Sequence, residues 1–386
     1  MARAFLFIAT VVLIGSGNVQ GRTLYETNFD TADAVTTWRV VSGTWEHDAT
    51  AGTYTCSGTN ELLTICEGPL ASDIPVDTLK DYVVTAELSK NNTAGGVIAR
   101  YEDPSNYYYL RHHADLGQLQ LWRIATAGKV MIASADYATA DLPETFVLIL
   151  DMAGSLLMGT LLDAEGNELA STSIEDTNFT SGPAGLRNWS GTQTFHSFAL
   201  IEIQEARFPE PAEAAVGVSS PLFRWAPGAG ALLHSVYLGT SPELTEADLV
   251  SSRLPMTMYW HAPGLEAGVT YYWRVDEIEA DMTTVHPGTV WSFVTQALTA
   301  YYPTPDDGAV TVAPAPTLSW LPGKNAVKHH LYFGEDLEAV SEGAADTDKG
   351  ELLETTYTPE ELQEATSYYW RVDEVLADGS LQAGAV

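Results

Sequence analysis

A chain of 386 residues with 51 acidic side chains against 18 basic ones carries a net charge of −33. The excess is spread evenly, so the whole surface repels phosphate backbones and anionic lipid headgroups, which need Lys and Arg to neutralise them, and nucleic acid is excluded as a favoured partner. At roughly 100 to 200 residues per domain, the length implies several domains rather than one core.

Residues 1–21 read as a secretory signal, the alternative being an N-terminal membrane anchor for which the apolar run is short: Met1-Ala-Arg is a short positive start, Ala4 to Gly15 is apolar, and Val19-Gln20-Gly21 offers small residues for cleavage. The expected location is extracellular or on the cell surface. No later run approaches the roughly 18 to 20 apolar residues of a spanning helix, so the chain is not expected to cross a membrane.

Residues 22–205 read as a large β-sandwich, because short runs of β-branched and aromatic residues recur between turn signals and no window keeps a helical period. Near its start, Cys56 and Cys66 flank the turn Ser57-Gly58-Thr59-Asn60, which reads as a hairpin; in an oxidising compartment a disulfide between the arms is expected.

Further on, Gly95 to Arg123 reads as a three-stranded meander with turns at Asp103-Pro104-Ser105-Asn106 and Ala114 to Gly117. If Tyr101 pairs with Tyr107 and His113 with Gln118, then Ile98, Leu110, Leu119 and Leu121 face the core. The opposite face then holds Tyr101, Tyr107, Tyr109, Arg111, His113, Gln120 and Trp122. Aromatic platforms mixed with fixed hydrogen-bond donors match the CH faces and hydroxyls of sugars, so these seven residues are the candidate ligand site. The same set could instead cover an outer sheet surface or meet a neighbouring domain.

This meander, with Phe29-Asp30 near the start and Gly182-Pro-Ala-Gly-Leu186 followed by Phe195-His-Ser-Phe-Ala-Leu-Ile-Glu-Ile203 at the end, resembles the concanavalin A-like, laminin G-like jelly rolls. More closely it resembles the bacterial branch of that fold found in 3-keto-disaccharide hydrolase-like proteins. The resemblance implies adjacent first and last strands, curved sheets, and sugar binding on the concave sheet or its rim. It also implies that Ca²⁺ is possible, with Asp30, Asp103, Asp151, Asp163 and Asp176 as oxygen donors, although no loop carries a dedicated motif and no cofactor is required.

Catalytic patterns are wanting. β-Glucanases of this fold carry Glu-x-Asp-x-x-Glu on one strand, whereas Glu46/Asp48, Glu246/Asp248 and Glu279/Asp281 each lack the third carboxylate. There is no His-Glu-x-x-His, and His112 and His113 are consecutive strand residues that face opposite ways, so they cannot chelate together. Asn91-Asn-Thr93, Asn178-Phe-Thr180 and Asn188-Trp-Ser190 fit the glycosylation pattern by chance if the source is bacterial.

From residue 206 the chain repeats itself. Phe223-Arg-Trp-Ala-Pro-Gly228 recurs as Leu318-Ser-Trp-Leu-Pro-Gly323, His234-Ser-Val-Tyr-Leu-Gly239 as His329-His-Leu-Tyr-Phe-Gly334, and Thr270-Tyr-Tyr-Trp-Arg-Val-Asp-Glu277 as Ser367-Tyr-Tyr-Trp-Arg-Val-Asp-Glu374. A period near 95 residues with alternating strands indicates two Ig-like sandwiches, 206–297 and 298–386. In the first, Tyr271, Trp273 and Val275 share one strand face and Tyr272, Arg274 and Asp276 the other. These motifs resemble the fibronectin type III-like modules of large secreted bacterial proteins, which implies a spacer role. The first copy ends in Gly288-Thr-Val-Trp-Ser-Phe-Val-Thr295, but the second runs only to Gly384-Ala-Val386, so it is expected to lack its last strand and to belong to a longer protein.

The expected fold class is thus all-β: a jelly-roll β-sandwich followed by two Ig-like β-sandwiches, the last one truncated. The expected function is non-catalytic recognition of a glycan or cell-surface ligand. The alternatives are a structural cell-surface or matrix protein and a fragment of a carbohydrate-active enzyme.

Overall fold

A computed structural model describes residues 11–14, 17–68, 70, 75–91 and 94–386. Most of the expected signal segment, and Asn92 and Thr93 of the first glycosylation triplet, lie outside them. The architecture is all-β, with one short α-helix, Leu337–Glu342, and three 3₁₀ turns among the described residues.

Strands up to Ile203 form a nine-stranded and a seven-stranded sheet. Their facing sides bury one large cluster, in which Leu110 of the seven-stranded sheet packs so closely on Gly159 of the other that a Cβ there would lie 2.3 Å from its methyl group. The first long strand, Gly17–Thr27, lies beside the last, Gly191–Ile203, paired from Gly21 opposite Ile203 to Thr27 opposite Phe198. That adjacency is what the jelly-roll resemblance implies, and it lies almost wholly beyond the expected cleavage point.

The seven-stranded sheet runs in the order Gly128–Asp136, Gln118–Ala125, Asn106–His113, Gly96–Asp103, Gly185–Asn188, Leu62–Cys66 and Trp38–Ser42. Its central meander closes where the sequence places the turns. Asp103 Oδ1 accepts from the Ser105 amide at 2.7 Å, and Gly117 takes a left-handed φ of 60° after a single 3₁₀ turn. His113 pairs with Gln118 as expected.

The register between the first two strands of the meander differs by one residue from the sequence reading. Ile98 pairs with Tyr109, not Leu110, because Arg100 is inserted as a bulge with φ of 46°. A one-residue slip moves a side chain to the other face. Ile98 therefore joins Tyr101, Tyr107 and Tyr109 on the outer face, while Val97 and Ala99 fill the core beside Leu110, Leu119 and Leu121. The bulged Arg100 is itself buried; its guanidinium donates to the carbonyls of Lys80, Gly154 and Phe179. These bonds hold a backbone shape that a non-glycine residue rarely takes.

Cys56 and Cys66 also depart from expectation. Thr53–Gly58 joins the nine-stranded sheet and Leu62–Cys66 the seven-stranded one, so the segment crosses between sheets rather than forming a hairpin. Both thiols are free and buried, not joined in a disulfide, and burial pushes each up to about 12.

Strands from Arg207 to Thr295 form a three-stranded and a six-stranded sheet, and those from Tyr301 to Gln382 a three-stranded and a four-stranded sheet. The repeated motifs build the same network twice. Trp273 is buried in the core, Arg274 lies 4.3 Å over the ring of Tyr237, Asp276 accepts from the Gly288 amide, and Glu277 accepts from both His234 Nδ1 and the Gly228 amide. In the second copy Arg371 lies 4.5 Å over Tyr332, Asp373 accepts from Gly384, and Glu374 accepts from His329 at 2.5 Å and from Gly323 at 2.6 Å. The repeated histidines thus serve packing.

Trp273 packs on Trp291 at 4.8 Å, and the strand holding Trp291 lies between Thr270–Glu279 and Ala215–Val218. The four-stranded sheet contains no such strand, and Trp370, the counterpart of Trp273, is only half-buried.

Candidate functional site

The outer face of the seven-stranded sheet carries a groove of about 420 Å³. Strand register explains its shape. One row across the sheet reads Gln120, Arg111, Gly96, Arg187, Leu63, and the next reads Trp122, Tyr109, Ile98, Gly185. Gly96 has no side chain, and its backbone is so tightly flanked that a Cβ would lie 1.9 Å from the Leu110 carbonyl oxygen. Two arginines therefore stand on either side of a bare floor, two strand spacings or about 10 Å apart at the backbone.

Of the seven expected site residues, Tyr109, Arg111, His113 and Trp122 line this groove. Gln120 sits beneath them, its Oε1 accepting from Arg111 Nε at 2.9 Å and from Trp122 Nε1 at 3.0 Å. Arg111 lies 4.8 Å over the Trp122 ring. One amide thus fixes both the aromatic plate and the cation stacked on it, an arrangement in which the cation–π contact alone contributes about 0.5–1 kcal/mol. Burial, with Arg187 nearby, pulls the Arg111 guanidinium below its ordinary value.

Tyr101 and Tyr107 share the face but do not line the groove. Their rings stack at 5.8 Å in a buried layer, Tyr101 beneath Arg39 and Tyr107 beneath Arg187. Burial pushes the Tyr107 and Tyr109 hydroxyls up to about 12, so both are neutral supports. His112 points the other way, into the core against Phe146.

The sequence reading did not include Arg187, Trp189 or Lys129, which complete the groove. Arg187 is 2% exposed, held 4.3 Å over the Tyr109 ring; its Nη2 lies 3.3 Å from Glu61 Oε1 without hydrogen-bond geometry, and its Nε meets no acceptor. Trp189, 47% exposed, stands at the rim with Lys129 5.3 Å over its ring. Lys129 also pairs with Glu61. The signal was present in Gly185-Leu-Arg-Asn-Trp189, where Leu186 faces the core and Arg187 the opposite side, but nothing in the sequence places that strand beside Gly96.

The five aspartates considered for Ca²⁺ do not come together, and no group of three metal-ligating side chains gathers among the described residues. Asp151 pairs with Arg207, Asp176 with Arg123, while Asp103 and Asp163 accept from amides of their own loops. These residues do not fit a calcium site. No helix among the described residues is long and apolar enough to cross a membrane.

No protein-family model and no curated protein matches the chain. Among solved structures it is similar to carbohydrate-binding module CBM66 from Bacillus subtilis, at 18% identity over 42% of this chain and 92% of that one, with a TM-score of 0.34. It is also similar to a Bacillus subtilis protein of unknown function with a galectin-like fold, at 14% identity over 47% and 96% with a TM-score of 0.36. Lectin I-B4 from Griffonia simplicifolia is similar at 11% identity over 46% and 98%, with a TM-score of 0.33. The chemistry of the groove rests on its own side chains.

Proposed function

We propose that the chain is a secreted, non-catalytic recognition protein that binds carbohydrate in the groove of the seven-stranded sheet, with the two smaller, fibronectin type III-like sandwiches acting as spacers. One observation carries the reading. Trp122 and Trp189 line a groove whose polar groups, Arg111 above all, are pinned in place before any ligand arrives. Aromatic plates offer area to the CH face of a sugar, and fixed donors meet its hydroxyls without an ordering cost.

Glycan-array binding of the full chain, beside Trp122→Ala, tests this. Retained folding with binding lost in the variant supports the reading. Absence of binding by the wild type to any glycan would favour the structural cell-surface role.

A further inference from the structure

We infer that the groove takes an acidic carbohydrate, a sugar ring bearing a carboxylate or sulfate group that sits between Arg111 and Arg187. The inference rests on the carbohydrate reading of the same groove.

Charge distribution points there first. Residues 22–205 hold 9 basic and 25 acidic side chains, yet three of those nine, Arg111, Lys129 and Arg187, converge on one groove. Opposing them are Asp115 on the lining and Glu61 behind it, the latter already engaged with Lys129. In a chain of net charge −33, three cations against two carboxylates make the groove a local excess of positive charge.

Arg187 is the second, independent observation. A buried guanidinium is costly unless its charge and its donors are met. Here the nearest carboxylate, Glu61, lies within ion-pair distance of Nη2 but accepts no hydrogen bond from it, and Nε has no acceptor. The side chain cannot retreat, because Tyr107 and Tyr109 lie beneath it. His113 adds another buried ring nitrogen without a partner, Nδ1, on the same groove. An anionic oxygen seated over Gly96 would accept from the arginine forks on either side, and such charge-assisted bonds are about twice as strong as neutral ones.

The general repulsion also sets a limit. A long polyanion would meet the acidic surface outside the groove, whereas a sugar segment with one charge in the groove would not.

Calorimetric titration of the full chain with a galacto-oligosaccharide carrying a single terminal galacturonate, with its carboxyl-reduced neutral counterpart and with the same oligosaccharide carrying a single sulfate tests the inference, at low salt and at about 0.15 M salt. The expected result is binding of an acidic probe at least about tenfold tighter than the neutral one, the gain expected of a charge-assisted bond. That margin should shrink with salt and vanish in Arg111→Gln. Preference for the carboxylated or the sulfated probe identifies the anion. Arg187→Gln should behave alike; if it unfolds, the more accessible Arg111 decides. Equal binding of the neutral and acidic probes, lost in Trp122→Ala, would overturn the acidic specificity and leave the carbohydrate reading standing. No binding of any of these probes would overturn the acidic specificity, while the glycan array alone decides the carbohydrate reading.

Discussion

Arg207, in the first strand of the middle unit, reaches into the large sandwich and pairs with Asp151 on strand Thr145–Ala153, and both side chains are buried. Burial pushes the Asp151 carboxyl up while Arg207 pulls it down. Removing either partner leaves the other charge buried and unpaired, so Arg207→Ala should cost about 3–5 kcal/mol, whereas the double change Arg207→Met with Asp151→Leu should recover most of that loss. Denaturant unfolding followed by tryptophan fluorescence provides the check. A wild-type midpoint in the single variant would show that the pair contributes nothing.

A second contact at the same junction recurs farther along. The Ala229 amide donates to the Ile203 carbonyl at 2.7 Å, and the Lys324 amide donates to that of Ala297 at 2.8 Å. Each follows a Trp-x-Pro-Gly turn whose glycine has no room for a Cβ: at Gly228 it would lie 2.0 Å from the Gln204 carbonyl oxygen, and at Gly323 2.3 Å from that of Leu298. The repeated glycine is therefore a docking point for the incoming linker. Gly228→Ala and Gly323→Ala should loosen their own joints, seen as faster proteolysis near residue 204 or 298 with both neighbouring sandwiches still folded. Unchanged cleavage in both variants would refute the joint.

Within the small sandwiches, Glu277 and Glu374 each satisfy a buried histidine and a buried glycine amide. Glu277→Ala orphans both donors, and a hydrogen bond to a charged group contributes about 1.5–3 kcal/mol, so the loss should reach several kcal/mol. Its counterpart Glu374→Ala should destabilise the other copy. Calorimetric scans of the two variants should show different transitions shifting; the same transition moving in both would mean the copies unfold together.

Such particulars show what a sequence can hold. Trp273, Val275 and Arg274 landed on their expected faces because a strand's period of two is local. Tyr109, Arg111, His113 and Trp122 reached the groove for the same reason, together with two well-marked turns. Ile98 did not follow, since a bulge at Arg100 is stabilised by carbonyls from residues 80, 154 and 179, none of them near in sequence. Arg187 stayed hidden for the corresponding reason. Its strand neighbours, Leu62–Cys66 and Gly96–Asp103, lie far along the chain, and strand order is not written in either segment.

The thiols offer a plain test of chemistry. With Cys56 and Cys66 free, buried and pushed up to about 12, neither should react with a thiol reagent in the native protein near neutral pH. Both should react after unfolding without reductant. A disulfide would instead leave no reactive thiol until reductant is added, which distinguishes the two states in one titration.

His112 sets a pH dependence whose sign is fixed. Burial against Phe146 pulls its pKa from 6.5 down to about 4, with Gln193 opposing the effect and the charge of Arg111 adding to it. The unfolded chain therefore binds this proton more readily than the folded one between those two values. Stability from the neutral ring is fully present above pH 6.5 and falls as the pH drops toward 4, by roughly 3 kcal/mol in all. Many carboxylates titrate in the same range, so the informative quantity is the difference between wild type and His112→Gln, which cannot take up the proton. Denaturation midpoints of the two should diverge by a constant amount above pH 6.5 and converge toward pH 4 in favour of the variant. A difference that stays constant across the whole range would show that His112 is not the titrating group.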